Sequence, residues 1–151
     1  WAVDLKTKNI AKFSAEKGLI LSFSKFGDLG IEFNTNSNKP KLSLIDGNGI
    51  KLADFGFYTF PQKCFIVGQA SIFCAVPRDQ TAFDRVKFVD DYFKRGAFSK
   101  DDFIQLDLNG NKAQTVVVGD KESIDAHSVL FYGDKFLFIN RYDNRLYLLA
   151  L

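Results

Sequence analysis

His127 is the one histidine of the chain, so any Ser–His–Asp or Cys–His relay would have to run through it. It stands in the run Ile124-Asp125-Ala126-His127-Ser128. Alternation along an extended strand puts Asp125 and His127 on one face and Ser128 on the other. The run thus offers an acid and a base without their nucleophile, and no nucleophile-elbow sequence precedes it. Asp125 and His127 are the candidate catalytic residues, for a small hydrolase. The plainer reading is a histidine at a surface or loop edge. The paired carboxylates Asp90-Asp91 and Asp101-Asp102 are neighbours in sequence, which does not bring side chains together on a helix. Asp107-Leu108-Asn109-Gly110-Asn111 alternates oxygen ligands but lacks the glycine and terminal acid of an EF-hand loop, and a hairpin turn explains it better. Two thiols and one distant histidine do not make four zinc ligands. No phosphate loop, dinucleotide fingerprint or kinase signature occurs, so no metal and no cofactor is expected.

Cys64 and Cys74 are the only cysteines. They flank Gly68-Gln69, which reads as the turn between the apolar runs 64–67 and 70–76. Folding a hairpin about residue 69 sets Cys64 opposite Cys74, with Cβ atoms about 4.5–5.5 Å apart at a non-hydrogen-bonded pair and within reach of a disulfide after local twist. One reading is a cross-strand disulfide and an oxidising compartment. The other is two buried thiols in a cytosolic protein.

The elements that position these residues read as follows. Residues 4–17 carry Leu5, Ile10 and Phe13 on one side and lysines elsewhere, and Gly18 follows, which predicts a helix. Residues 19–26 alternate as strand, turn at Gly27-Asp28, and continue at 31–33. Lys41–Ile45 and Ile50–Phe55 form a hairpin around Asp46-Gly47-Asn48-Gly49. An aromatic strand, Phe57–Phe60, precedes the cysteine hairpin. Phe83, Val86, Val89 and Phe93 then recur at helical spacing, with Thr81 as the candidate cap, which predicts an inserted helix over about 81–95. Strands return at 103–108 and 115–118, a polar loop covers 119–126, and the chain ends in a hairpin, 135–140 with 145–150. That last hairpin resembles half a propeller blade, although a chain this short with two helices has no room for a full ring.

The expected fold class is therefore α+β: an N-terminal helix, then a mainly antiparallel sheet with one inserted helix, in a single domain over residues 1–151. The length can bury roughly two-thirds of the unfolded surface around one core. Seventeen phenylalanines among 151 residues read as a Phe-heavy core rather than an exposed aromatic face. Net charge is +2, with lysines and arginines dispersed among acids, so no phosphate-tracking stripe exists and nucleic acid is not an expected partner. No apolar run reaches the roughly 18 residues that cross a bilayer. The sequence holds no methionine and starts at Trp1, which reads as a processed or truncated end, with an anchor or leader missing before it and any membrane link made only through that segment.

With Asp4–Lys17 as a retained half-helix and Leu19 onward as the sheet, the chain resembles the globular head of type IV pilins and type II secretion pseudopilins. The resemblance implies a non-enzymatic, extracytoplasmic assembly module, placed in the periplasm or at the cell surface, with protein partners or self-assembly. The family closes a C-terminal loop with two cysteines, whereas Cys64 and Cys74 lie mid-chain. An alternative from a different class is a sheet closing toward a barrel, with phenylalanines lining a cavity for an apolar small ligand.

Overall fold

A computed structural model describes residues 2, 3, 5–11, 13, 14, 16–35, 40–85, 87–110, 112–117 and 123–150. Trp1, Val86 and the loop residues 36–39 and 118–122, on which expectations were placed, lie outside the described residues. The architecture is predominantly β, as three antiparallel sheets and a short ribbon. The ribbon is β1 (Ala2–Val3) with β2 (Ile10–Ala11). Sheet I is the meander β3 (Ile20–Phe23), β4 (Leu29–Asn34), β5 (Lys41–Asp46), β6 (Lys51–Asp54). Sheet II follows as β7 (Cys64–Val67), β8 (Ser71–Pro77), β9 (Asp101–Asp107), β10 (Lys112–Val117). Sheet III is β11 (Ala126–Tyr132), β12 (Lys135–Asn140), β13 (Arg145–Ala150).

Side-chain alternation stacks the sheets in chain order. On β8, Ile72, Cys74 and Val76 join one core with Ile31, Phe33, Leu42 and Leu44 of sheet I. The intervening Phe73 and Ala75 point the other way, into a second core with Phe136 and Phe138 of sheet III. Sheet II is thus covered on both faces, which is why β8 reads as the unbroken apolar run Ile-Phe-Cys-Ala-Val. The phenylalanines fill these two cores ring against ring, from 4.4 Å between Phe60 and Tyr92 to 6.4 Å between Phe65 and Phe131. Each fully buried side chain of this size contributes about 1.5–3 kcal/mol of transfer free energy. The first strands of the three sheets meet along one open cleft of about 310 Å³, lined by Ser22 and Phe23 of β3, Phe65 and Ile66 of β7, and Ser128 and Val129 of β11. Successive meanders, packed face to face with their first strands converging, have the arrangement of neighbouring propeller blades.

Local chemistry sets the turns. At the last hairpin of sheet I, between β5 and β6, the Asp46 carboxylate accepts the backbone N–H groups of Asn48 and Ile50 at 2.9 and 2.8 Å. Gly49 closes that turn at φ 84°, and a Cβ there would sit 2.9 Å from the Phe13 ring, so glycine is required twice over.

The α+β expectation fails, and the pilin resemblance fails with it. The predicted N-terminal helix over residues 4–17 is replaced by the β1–β2 ribbon, with Lys8 at φ 58°. Its apolar residues do not make one helical stripe: Leu5 and Ile10 are exposed, while Phe13 packs edge-on against Phe23 of sheet I at 5.9 Å. Without that helix nothing described here has the helix-plus-sheet form of a pilin head. The inserted helix over 81–95 resolves into a 3-10 turn, Gln80–Asp84, and one short helix, α1 (Phe88–Phe93), with the extended Arg85 closing the first of them. Ala82, Phe83, Phe88 and Tyr92 are the buried residues among those described in this segment and Phe93 is half exposed, so beyond Phe83 the buried positions differ from the stripe expected. The cap is Asp79, whose carboxylate accepts the Thr81 N–H at 3.1 Å, rather than Thr81 itself. Among the described residues Phe57–Phe60 pairs with no strand; the Gln80 amide takes up the Tyr58 backbone, accepting its N–H at 2.6 Å and donating to its carbonyl at 3.1 Å.

The cysteine hairpin forms in the register anticipated, Cys64 opposite Cys74 with the Cα atoms 4.1 Å apart, and the two are bonded. The bond closes a loop across a sequence separation of 10, which by the chain-entropy relation removes about 2–3 kcal/mol of unfolded-state freedom. Replacing both cysteines by alanine, or unfolding under reducing conditions, is expected to lower stability by about 2–3 kcal/mol. Denaturant titration of oxidised and reduced protein measures it, and coincident curves would show that the bond contributes nothing.

Candidate functional site

Four formal charges converge at one end of the stack. Pro61 opens a 3-10 turn, Pro61–Lys63, where its missing N–H costs nothing, and this turn sends the Lys63 side chain fully inside. Ser99 and Asp101 come from the entry to β9, Asp125 from the residue before β11, Arg141 from the residue after β12, and Tyr92 from α1. The Lys63 ammonium donates three hydrogen bonds of 2.7 Å, to Ser99 Oγ, Asp101 Oδ2 and Asp125 Oδ1. That uses every donor it has.

The opposite side of Asp125 is held by Arg141, whose Nη1 donates to Oδ2 at 2.7 Å while Nη2 donates to the Tyr92 carbonyl. The guanidinium lies flat on the Tyr92 ring, 3.7 Å from its centroid, with the Phe98 ring 5.1 Å away. Tyr92 Oη, Ser99 Oγ and the Ser99 N–H complete the shell of Asp125 at 3.0, 3.0 and 3.1 Å. Asp101 Oδ2 also accepts the Ala126 N–H at 2.8 Å. Two cations thus face two carboxylates, and when all four are ionised the cluster carries no net charge.

The carboxylates differ in titration. Burial works to raise Asp125, but Lys63 first, then the Ser99 N–H and Arg141, hold it below the usual carboxylate range. For Asp101, burial outweighs Lys63, and the nearby Asp125 charge adds to it, so its carboxyl is raised above the usual range. Burial likewise pushes the Tyr92 phenol up, leaving it a neutral donor.

Asp125 is therefore not the partner of His127. Both its oxygens are taken by Lys63, Ser99, Tyr92 and Arg141, and His127 instead meets Ser128, Nδ1 to Oγ at 2.9 Å. A register shift between His127 and Leu130, with Ser128 at φ 52°, brings these neighbours together; this overturns the expectation, from regular alternation, that Ser128 points away. His127 sits at the mouth of a small recess of about 160 Å³, shared with Gln62, Tyr92, Phe93, Arg95 and Arg141. Partial burial, then Arg141, lowers its pKa, so it is a neutral imidazole at pH 7 with a serine beside it and no carboxylate to orient it. Among the described residues no group of three or more His, Cys, Asp or Glu side chains is placed to hold a metal ion.

Asp125 and His127 were visible in the sequence. Lys63, Ser99, Tyr92 and Arg141 were not, because their chain positions are far apart and each looks like an ordinary polar residue. The one available signal is local: Lys63 is a lone cation flanked by Phe60-Pro61 and by Cys64-Phe65-Ile66.

Removing one partner of a buried ion pair costs about 3–5 kcal/mol because the other charge is stranded. Lys63→Met is expected to lose about that much stability at neutral pH and to recover part of it in acid, where Asp101, left without its cation, takes up a proton. Denaturant melts at both pH values test this, and an unchanged midpoint would mean that the cluster is not closed as described. His127 gives the opposite kind of readout. Its folded pKa is below the unfolded value, so the stability tied to its neutral form is present above about pH 6.5 and is lost as the pH falls from there through the folded pKa. His127→Gln is expected to flatten that part of the melting-temperature profile, and parallel profiles would place His127 in bulk-like solvent.

No protein-family model matches the sequence, and no curated protein matches it.

Proposed function

We propose that the chain is a non-enzymatic, extracytoplasmic interaction module: a rigid stack of sheets that presents a surface to another protein. The observation that carries this reading is the condition of the polar cluster. Catalysis needs a group free to exchange a proton or attack a substrate, and Lys63, Asp101, Asp125 and Arg141 are buried and paired with one another, Asp101 Oδ1 being the one buried side-chain oxygen among the described residues with no hydrogen-bond partner. The charges act as a clasp between elements. Apolar surface is what remains unspent, with Leu130, Tyr132, Leu146 and Leu148 all exposed on sheet III.

The Cys64–Cys74 bond supports the compartment, since disulfides persist where the surroundings are oxidising. Among the described residues no helix is long and apolar enough to cross a membrane.

The remaining catalytic option is His127 with Ser128, and it sets the test. The purified chain is assayed against chromogenic esters, phosphoesters, glycosides and peptides, alongside His127→Ala and Ser128→Ala. The expected result is no turnover above buffer in any of the three. Turnover in the parent chain that both substitutions abolish would overturn the interaction-module reading in favour of a hydrolase.

A further inference from the structure

Two arginines and the chain's one histidine line the small recess beside the charge cluster. Among the described residues no carboxylate lines it. Arg141 is its deepest member, with a side chain only 6% exposed. Nη1 of Arg141 is spent on Asp125 and on the Ala97 carbonyl, and Nη2 donates to the Tyr92 carbonyl. A guanidinium carries five donors, so Nε–H and the second Nη2 hydrogen have no partner among the described residues. Asp101 Oδ1 is the one sealed side-chain atom there without a partner, so the unspent Nε–H of Arg141 reaches solvent. Arg95 lines the same recess and makes no ion pair among the described residues. His127 keeps Nδ1 on Ser128 Oγ at 2.9 Å, which leaves Nε2 as the ring nitrogen for a ligand. The backbone marks the same place. Arg95 lies at φ 60° and Ser128 at φ 52°, two of the four non-glycine residues described in the left-handed region. Arg95 follows the cap of α1, where glycine is the usual residue, and such outliers cluster at functional sites.

We propose that this recess binds a carboxylate carried on a short apolar stem. Charge sets the class. Lys63 and Arg141 balance Asp101 and Asp125 when all four are ionised, so Arg95 is the surplus cation of the recess. A monoanion neutralises it, whereas a phosphate dianion would leave uncompensated charge close to Asp125. Shape agrees with charge. Planar guanidiniums match the two oxygens of a carboxylate, and Gln62 adds a neutral amide. The stem meets Phe93, which is half exposed and stands at 90° to the Tyr92 ring with the centroids 5.7 Å apart. The volume of about 160 Å³ is that of an engineered cavity that holds benzene. This inference goes beyond the interaction-module reading and does not rest on it. The carboxylate belongs either to a free small acid or to an acidic side chain of another protein, and the test separates the two.

Because His127 is the only histidine, its imidazole C–H signals in a proton spectrum report on this recess alone. The full chain is titrated at constant pH, with chloride holding the ionic strength fixed, against benzoate, N-acetylglutamate amide and inorganic phosphate. The carboxylates are expected to move the His127 signals along saturating curves, and phosphate is expected to give no saturation over the same range. Saturation by benzoate at the lower concentration assigns a free acid, and saturation by the blocked glutamate at the lower concentration assigns a side chain of a partner. In Arg95→Gly the carboxylate affinity is expected to fall roughly tenfold or more, the loss of a charge-assisted pair. Its melting temperature is expected to stay close to the parent's, because relief at the left-handed position offsets the added freedom of the unfolded chain. Should Arg95→Gly fold poorly, Arg95→Asn, which also tolerates that backbone, takes its place. No saturation by either carboxylate, unchanged affinity in the Arg95 variant, or tighter saturation by phosphate would each overturn the proposal. Failure here leaves the interaction-module reading standing, and turnover in the substrate assays removes that reading without altering the His127 titration.

Discussion

The buried contact between Lys63 and the two carboxylates of Asp101 and Asp125 is the constraint around which this chain is arranged. An ammonium with no exposed surface is tolerable only with all its donors satisfied, and its three partners come from residues 36, 38 and 62 positions further along the chain. The cluster therefore cannot form until the turn before β7, the start of β9 and the start of β11 are docked together. Arg141 and Tyr92 extend the same requirement to the end of β12 and to α1. Its net contribution to stability over an apolar plug of equal volume is small or even negative. Its effect is on specificity: a sheet docked one step out of place strands a charge, and the misplacement then costs several kcal/mol.

That requirement acts at one end of the stack only. Further along, sheets I and II and sheets II and III are held by aromatic packing, which is less particular about register than a fixed set of charge-assisted hydrogen bonds. The disulfide between β7 and β8 adds a covalent cross-link on the central sheet, close to the clasp, since Cys64 directly follows Lys63. One end of the molecule is thus defined by charge and covalency and the rest by apolar area. The polar cluster has the residue types of an active site, and its geometry is set by the need to neutralise Lys63, whose three donors are all taken up inside it.

The sequence made the hairpins legible and the helices illegible, for physical reasons. Turn chemistry is local, so Asp46-Gly47-Asn48-Gly49 located the β5–β6 hairpin, and symmetric spacing about residue 69 predicted the Cys64–Cys74 register. Residues 135–140 and 145–150 alternate cleanly and form β12 and β13. Helical periodicity, by contrast, was inferred from few positions. In residues 4–17 the three apolar residues are spread between solvent and sheet I, and in 81–95 the Gln80 side chain and the extended Arg85 interrupt what would have been one helix. The strand β11 hid because its register shift at His127 and Ser128 breaks the alternation by which strands are recognised. The clasp hid for a different reason, since contacts spanning up to 62 positions leave no mark at short range.

Sheet III shows where the two levels of reading meet. Alternation alone marks its inward side, and its outward side holds Leu130, Leu146 and Leu148, all exposed. In a monomer such a face costs solubility and contributes nothing to the core, while sheet II, apolar on both faces for the same reason, is stable because sheets I and III cover it. The two outer sheets therefore differ in what they show to solvent, charged and polar side chains such as Glu32, Lys51 and Asp54 on sheet I and leucines on sheet III.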